Sequence, residues 1–540
     1  MIDITPYSLL LPFLLYAETH YRFRYFLSYL KKPEPEILAD APHWIEPDKQ
    51  LPLLLLCKDA HKYPCTLQQA TARINHLGTT IKDLPLLDSP IALNTPYWWK
   101  VCALDAELLS GWIDIDVTFD IEIQGNRKFF KNDNYRTSSH AALRIYKGKE
   151  PLPRNGNLYL GDCHTHSTFT EDQVEFGSPL EASVQLCKNM GLSFFCVTDH
   201  SYDLDDKIDT YLENDPSLPK WIALQEAVHK LNSGESAFSI VRGEEVSCRN
   251  GQGENVHLVL LGNKQYFPGS GDSAERWLQT RSEMSIQEIL LAKESETVAV
   301  ASHPCDDVPL IQRLLLGRGE WTSEDLSNEQ LTGIQFVNGA LDAGFKKGYH
   351  AWVECLLRGQ RVFVFGGNDA HGNFNRFRQI GIPFVKIHEA DQQLFGRVRT
   401  GVFLRAPLGE TEILDSMRHG NSLVTDGPLF NIRVNGTDTL TALGETLRAN
   451  TLQLECEALS SSDFGDIEEL RVYKGVIGSD HEETLYSLPP VPIKSVWNIL
   501  LTVDVEQPMY IRAEAFTRAT GAYDQRSHFV LTNPVWLHPV

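Results

Sequence analysis

Six places in the middle of this 540-residue chain carry side chains able to hold metal ions, and each lies at the end of an apolar run. His164 and His166 close the run Tyr159-Leu-Gly-Asp-Cys. Residues two apart on a strand point the same way, so this pair can share one ion. Asp199-His200 closes Phe195-Cys-Val-Thr, and Glu244-Glu245 follows Val241-Arg-Gly. His257 opens the run after Val256, and His303-Pro304 closes Val300-Ala-Ser. Asp369-Ala-His371 follows Val364-Phe-Gly-Gly-Asn, again with the two-residue spacing. Imidazole and carboxylate together suit Zn, Mn or Fe. The donors outnumber the four positions of one tetrahedral ion, so two or three divalent ions are expected.

A single His-x-His or Asp-x-His says little. The weight lies in six strand-end sites following one another in order. His140, His229, His350 and His388 sit on helical or polar stretches and are read as bystanders. The tryptophans are spread along the whole chain and are assigned to cores rather than to a stacking platform.

The elements that must position these donors come in three styles. Residues 1–48 read as partly helical before a Pro-rich turn at Lys32-Pro-Glu-Pro35. Strands are expected at Leu51–Cys57, Trp98–Ala103 and Trp112–Ile123. In the last, Ile113, Ile115, Val117 and Phe119 share one face and Asp114 and Asp116 the other. Pro151-Leu-Pro-Arg-Asn-Gly156 has the composition of an exposed linker. Beyond it, short apolar runs alternate with helical stretches, near Pro179–Met190 and Lys220–Leu231 among others. From about Leu429 the chain reads as strands again. The expected fold class is therefore α/β. A β/α barrel or open parallel sheet spans 151–428, with β-sandwich-like segments at 1–150 and 429–540. In a β/α barrel the site gathers at the C-terminal ends of the strands.

Composition sets bounds on partners. The net charge is −22, from 49 basic and 71 acidic side chains, which disfavours an extended nucleic acid. A small phosphorylated molecule stays open, because local metal charge outweighs a global field. The ten cysteines form no Cys-x-x-Cys pair and read as reduced and buried. Residues 8–17 imitate a signal core, but Asp3 and no Lys or Arg precede them, and no small-x-small site follows. No run reaches the roughly 18 apolar residues of a membrane span. The expectation is a cytoplasmic protein with a small-molecule substrate and no membrane partner; the composition leaves its oligomeric state open.

The order His164-x-His166, Thr198-Asp199-His200, Gly243-x-Glu245, His257, His303-Pro304, Asp369-x-His371 resembles the PHP (polymerase and histidinol phosphatase) superfamily. More narrowly it is similar to the CehA/McbA-type metallohydrolases. Trp352–Gly359 before Gly366-Gly-Asn-Asp-Ala-His-Gly372, Asn421–Pro428 and Leu531–Val535 add to that likeness. The resemblance implies a distorted seven-stranded β/α barrel with a metal cluster. His164, His166, Glu245 and Asp369 would hold one ion, and Glu245 would bridge to a second with His257 and His303. His200 and His371 would hold a third with an acid after the His-x-His strand. Where the family has Ser-Asp-Gly, this chain has Thr170-Glu-Asp-Gln173. Asp172 is the choice there and Glu171 its rival.

Such a centre implies hydrolysis by activated water. The first reading is a phosphoesterase with His200, His371 and Arg376 in catalytic roles. Arg242 and Arg378 are further candidates to grip a phosphate. The second is a carbonyl-centred hydrolase of esters, amides or carbamates. The third, a non-catalytic metal-binding module, fits an intact ligand set least. The stretches Tyr202–Asp215 and Tyr266–Arg281 are the expected substrate-shaping loops.

Overall fold

The computed structural model describes residues 33–540, apart from 106–108, 136–137, 172–175, 209, 272–279, 377–378, 383–384, 389–391 and 490–492. Most of the helical stretch expected before residue 48 lies outside these residues. Its described end is extended, with strands Glu36–Asp40 and Trp44–Ile45.

Leu51–Lys58 shows how an uninterrupted apolar run is used. Leu51, Leu53, Leu55 and Cys57 face a core built with Ile113, Ile115, Val117 and Phe119 of the strand Gly111–Ile123. Leu54 and Leu56 face the opposite way, into the core of Leu180 and Leu186. A strand buried on both faces reads as a continuous hydrophobic run rather than an alternation. Each such leucine contributes about 2 kcal/mol of burial. The strand therefore joins the N-terminal sheets to the central part of the chain.

The central strands are β1 (Leu158–His166), β2 (Phe194–Val197), β3 (Ser239–Arg249), β4 (Asn255–Leu261), β5 (Val298–Ser302), β6 (Gly333–Asn338), β7 (Phe363–Gly367), β8 (Arg399–Phe403) and β9 (Ser422–Thr425). Helix α1 (Leu180–Asn189) links β1 to β2, α2 (Pro219–Gly234) links β2 to β3, and α3 (Ala343–Leu357) links β6 to β7. Those pairs are parallel. In contrast, β3 and β4 form an antiparallel hairpin, and β4 pairs antiparallel with β5. The hairpin turn is built by Asn250, whose Oδ1 accepts the N–H groups of Gln252 and Glu254, and by Gly253 at φ 82°.

The α/β reading with a distorted seven-stranded β/α barrel is corrected by this topology. Among the described residues strand outweighs helix by 43% to 15%, which makes the molecule predominantly β. The central strands are part of one 16-stranded sheet. It runs from β7 through β1 to β8 and β9, and on into Phe529–Thr532, Met509–Thr517 and Ile467–Val476. The physical reason is local ambiguity. An apolar run buried on both faces looks the same whether its neighbour arrives by helix or by hairpin.

Pro151–Gly156 also differs from a loose connector. Leu152 is buried and its N–H meets the Glu46 carboxylate, Arg154 bonds Gly191 O, and Asn155 bonds Glu457. All ten cysteines are buried and unbridged. Among the described residues no helix is long and apolar enough to cross a membrane.

Where β9 meets the C-terminal strands, a buried ion pair closes the seam. His528 Nδ1 is 3.1 Å from Asp426 Oδ2, its Nε2 is 2.9 Å from Asp524 Oδ1, and Arg526 also reaches Asp426 at 3.0 Å. Burial pulls the His528 imidazole down, but Asp426 and Asp524 outweigh it and hold it above its ordinary value. Burial pushes Asp426 up, and His528 and Arg526 outweigh that to hold it below. The Asp426 contribution is present above about pH 4 and is lost as pH falls through its depressed folded value. The His528 contribution is complete below about pH 6.5 and is lost as pH rises through its elevated folded value. His528→Gln should therefore destabilise by about 3 kcal/mol between those limits and by clearly less near pH 9. Denaturant melts at three pH values check this; a pH-independent difference contradicts it.

Candidate metal centre

The site is assembled by strand ends that the sheet brings side by side. His164 and His166 end β1, where His166 pairs in register with His371. His200 follows β2 and bridges to Glu245 on β3. Hairpin register sets Ser247 opposite His257, so His257 on β4 lies one step along from Glu245. His303 follows β5 and Asp369 follows β7. Both ligand candidates have left-handed backbone, φ 31° and 51°, which costs non-glycine residues about 1–3 kcal/mol and is tolerated where surroundings over-determine it.

Three overlapping groups result, each with its donor atoms within 4.8 Å of one another: His164, His166, Glu245 and Asp369; Glu245, His257 and His303; and His166, His200 and His371. Glu245 is fully buried and lies at the centre. Its Oε2 is 3.2 Å from His164 Nε2, 3.5 Å from His166 Nε2 and 3.1 Å from His200 Nδ1. Its Oε1 is 2.8 Å from His257 Nδ1 and 3.3 Å from His303 Nε2. Asp369 Oδ1 is 3.0 Å from His166 Nε2 and 3.4 Å from His164 Nε2.

The crowded donors shift one another's protonation. Burial lowers the His164 imidazole, but Glu245 and Asp369 prevail and raise it to about 10. His166 is held down by burial and by the neighbouring His371 and His200, and His200 is held down chiefly by burial. Burial opposes ionisation of Glu245, yet His257 and His164 hold it well below the carboxylate range.

A second layer orients the ligands. Gln335 Oε1 accepts from His164 Nδ1 at 2.8 Å, which leaves Nε2 facing Glu245 and Asp369. His371 Nδ1 donates to Asp369 O at 3.1 Å, and Thr170 Oγ1 lies 3.3 Å from His166 Nδ1. Asp162, fully buried and pushed up to about 6 by that burial, accepts from His164 N, Gly396 N and Asn368 Nδ2. Asp199 accepts from Ser167 N, Ser167 Oγ and Thr170 N. Glu244, next to Glu245 on β3, is equally buried. It is tied to Ser201, Asn263 and the Phe267 N–H.

The structure thus brings together His164, His166, His200, Glu245, His257, His303, Asp369 and His371. Asp172 and Arg378 lie outside the described residues, as does the His388 side chain. Glu171 faces Lys58 at 3.4 Å rather than the histidines. Two of the candidate arginines make contacts within the protein. Arg242 is spent on a bidentate pair with Glu410, at 2.7 and 2.8 Å. Arg376 lies 3.7 Å from Asp40, with its guanidinium 5.3 Å from the Phe176 ring. His229 and His350 are exposed on α2 and α3. Gln335 and Arg318 were missed. A lone glutamine in the apolar run Gly-Ile-Gln-Phe-Val is a readable signal for the first. Arg318, between two glycines, offers none.

The donor set fits divalent ions. All donors are imidazole nitrogen or carboxylate oxygen. His164 Nε2 and Glu245 Oε2 are sealed from solvent, with no hydrogen bond of acceptable angle among the described residues. No family model matches the chain, and no curated protein does. Among solved structures it is similar to a β-glucuronidase 2 of Bacteroides uniformis bound covalently to cyclophellitol-6-carboxylate aziridine. The identity is 9% over 93% of this chain and 61% of that one, with a TM-score of 0.19. It is also similar to a trypsin-activated α-2-macroglobulin of Escherichia coli, at 7% identity over 97% of this chain and 24% of that one, with a TM-score of 0.16. The chain spans less than two thirds of either. Likenesses this slight carry no argument about fold or activity.

The orienting layer can be tested directly. Gln335→Leu should keep the fold and weaken Mn(II) or Zn(II) binding by about 10- to 100-fold, because His164 loses the partner that fixes its tautomer. Calorimetric titration of the metal-free variant measures it. Unchanged affinity would show that Gln335 does not orient a ligand.

Proposed function

We propose that the chain is a metal-dependent hydrolase of a small phosphorylated substrate, as the resemblance of its ligand order to the PHP superfamily implies. The observation that carries the reading is the buried Glu245 carboxylate, shared between donor groups that each have the composition of an ion site. His164, His166, Glu245 and Asp369 would hold one ion, Glu245, His257 and His303 a second, and His166, His200 and His371 contribute to a third position. Ions bound there would lower the pKa of water toward neutrality and offset charge on a phosphoryl oxygen.

The chain's own part is preorganisation. The Gln335 side chain and the Asp369 carbonyl accept from Nδ1 of His164 and His371, so each ring would offer Nε2 to an ion without turning. The strand ends exclude water from the inner side, where His164, His166 and Glu245 are 0–1% exposed. Asp369 and His303, with side chains 20% and 15% exposed, form the more open rim. Tyr202 stacks on His200 with ring centroids 4.6 Å apart and limits how that imidazole can turn.

Metal-loaded protein should be offered aryl phosphates, phosphodiesters, aryl esters and carbamates. Hydrolysis of a phosphate substrate is expected. Glu245→Gln and His164→Ala should each lower turnover by about a thousand-fold or more, and the double variant should be no worse than either single one. His350→Ala should stay near wild type. Turnover confined to esters or carbamates would favour the carbonyl-centred alternative. An active Glu245→Gln beside a dead His350→Ala would refute the site.

A further inference from the structure

Arg318 enters the candidate centre from outside the ligand set. Its Nη2 lies 2.9 Å from Nε2 and 3.2 Å from Nδ1 of His257. The backbone decides where it stands. Asn255 and Arg318 form a parallel bridge; Asn255 N donates to Gly317 O, and Gly319 N donates to Asn255 O. The Asn255 side chain also bonds Leu316 O at 2.6 Å. Gly317, at φ 63°, turns the chain out of the helix Leu310–Leu316 and onto the start of β4. Arg318 is thereby tethered two residues along the strand from His257.

This contact conflicts with metal binding at His257. A guanidinium is always charged and only donates. Within 3.2 Å of both ring nitrogens, Nη2 lies over the imidazole face, so an ion bound in the plane of that ring would place positive charge beside the guanidinium and repel it. His257 Nδ1 is already 2.8 Å from Glu245 Oε1. Filling the group Glu245, His257 and His303 would therefore push the guanidinium off the ring, while the bridge at Asn255 keeps it within side-chain reach. A planar cation held there beside divalent charge calls for an anion, and its fork of donors matches two oxygens of a phosphoryl group.

We infer that Arg318 is the residue that selects an anionic, phosphoryl-bearing substrate, exchanging His257 for the phosphoryl oxygens when metal binds. The inference rests on the metal-dependent reading above. It carries a linkage: phosphate and metal help each other bind through Arg318, and without phosphate Arg318 opposes the metal.

The test is calorimetric titration of metal-free, full-length protein with Mn(II), with and without inorganic phosphate, for wild type, Arg318→Gln and Arg318→Lys. In wild type, phosphate should tighten Mn(II) binding by about ten-fold. Arg318→Gln should bind Mn(II) alone more tightly than wild type does and lose the phosphate effect. Arg318→Lys, with the charge but not the fork, should keep only part of it. If Arg318→Gln retains the full phosphate effect while wild type takes up metal, the inference fails and the hydrolase reading stands. If wild type takes up no Mn(II), both fail. Should Arg318→Gln not fold, a full phosphate effect in Arg318→Lys overturns the bidentate grip.

Discussion

A carboxylate with no exposure to solvent, Glu245, stands among five imidazoles. Its two oxygens lie 2.8–3.5 Å from His164, His166, His200, His257 and His303. Taking a carboxylate out of water costs several kcal/mol unless opposite charge compensates it. Protons alone compensate badly here. Raising the charge on His164 helps Glu245, but His166 and His200 pack against each other and against His371, with ring centroids as close as 4.1 Å, and repel when charged. Glu245 and Asp369 pull the His164 imidazole up, while burial and neighbouring imidazoles push His166 and His200 down. Divalent ions would satisfy all the lone pairs at once, which is why the proposed chemistry and the stability of this region depend on the same residue.

Around that constraint the framework holds each donor from behind. Gln335 and Asp162 come from the strands themselves, and Asn368 joins Asp162 to Val398 O. His303 and Asp369 keep left-handed backbone because their neighbours leave no alternative. Gly367, next to the Asn368-Asp369 turn, has no room for a Cβ, which would meet His164 at 2.7 Å. Strain and close packing therefore coincide with the ligands.

The ligand positions were legible because strand periodicity is short-range. His164 and His166 share a direction by virtue of a two-residue repeat, and so do Asp369 and His371. The strands Phe194–Val197 and Leu51–Lys58 were legible within a residue for the same reason. What the sequence withheld were pairings between distant segments. Nothing around Arg242 announces Glu410, nor anything around Arg376 that Asp40 awaits it. Nothing in Val256–Leu261 says that both of its neighbours run antiparallel. Those facts belong to sheet order, which is decided by which buried faces meet, and they account for the misread fold class and for Arg318 being overlooked.

The N-terminal sheets are more than a neighbour of this centre. Asp40, fully buried at the end of its strand, accepts the backbone N–H groups of Phe374, Asn375 and Arg376, just past His371. Lys58, from the strand shared by two cores, reaches Glu171 just past His166 and lies 4.5 Å over the Phe176 ring. Burial pushes Asp40 up to about 6, with Arg376 opposing it, so this carboxylate is kept for the bonds it accepts rather than for its charge. The two chain segments that follow the two-residue ligand pairs are thus both fastened by the N-terminal part. On the other side, the bridge at Asn255 places Arg318 against His257. In a chain of net charge −22, that side offers an incoming anion a fixed guanidinium beside the proposed ions. Global charge sets how rarely such a ligand approaches; the local cations set whether it stays.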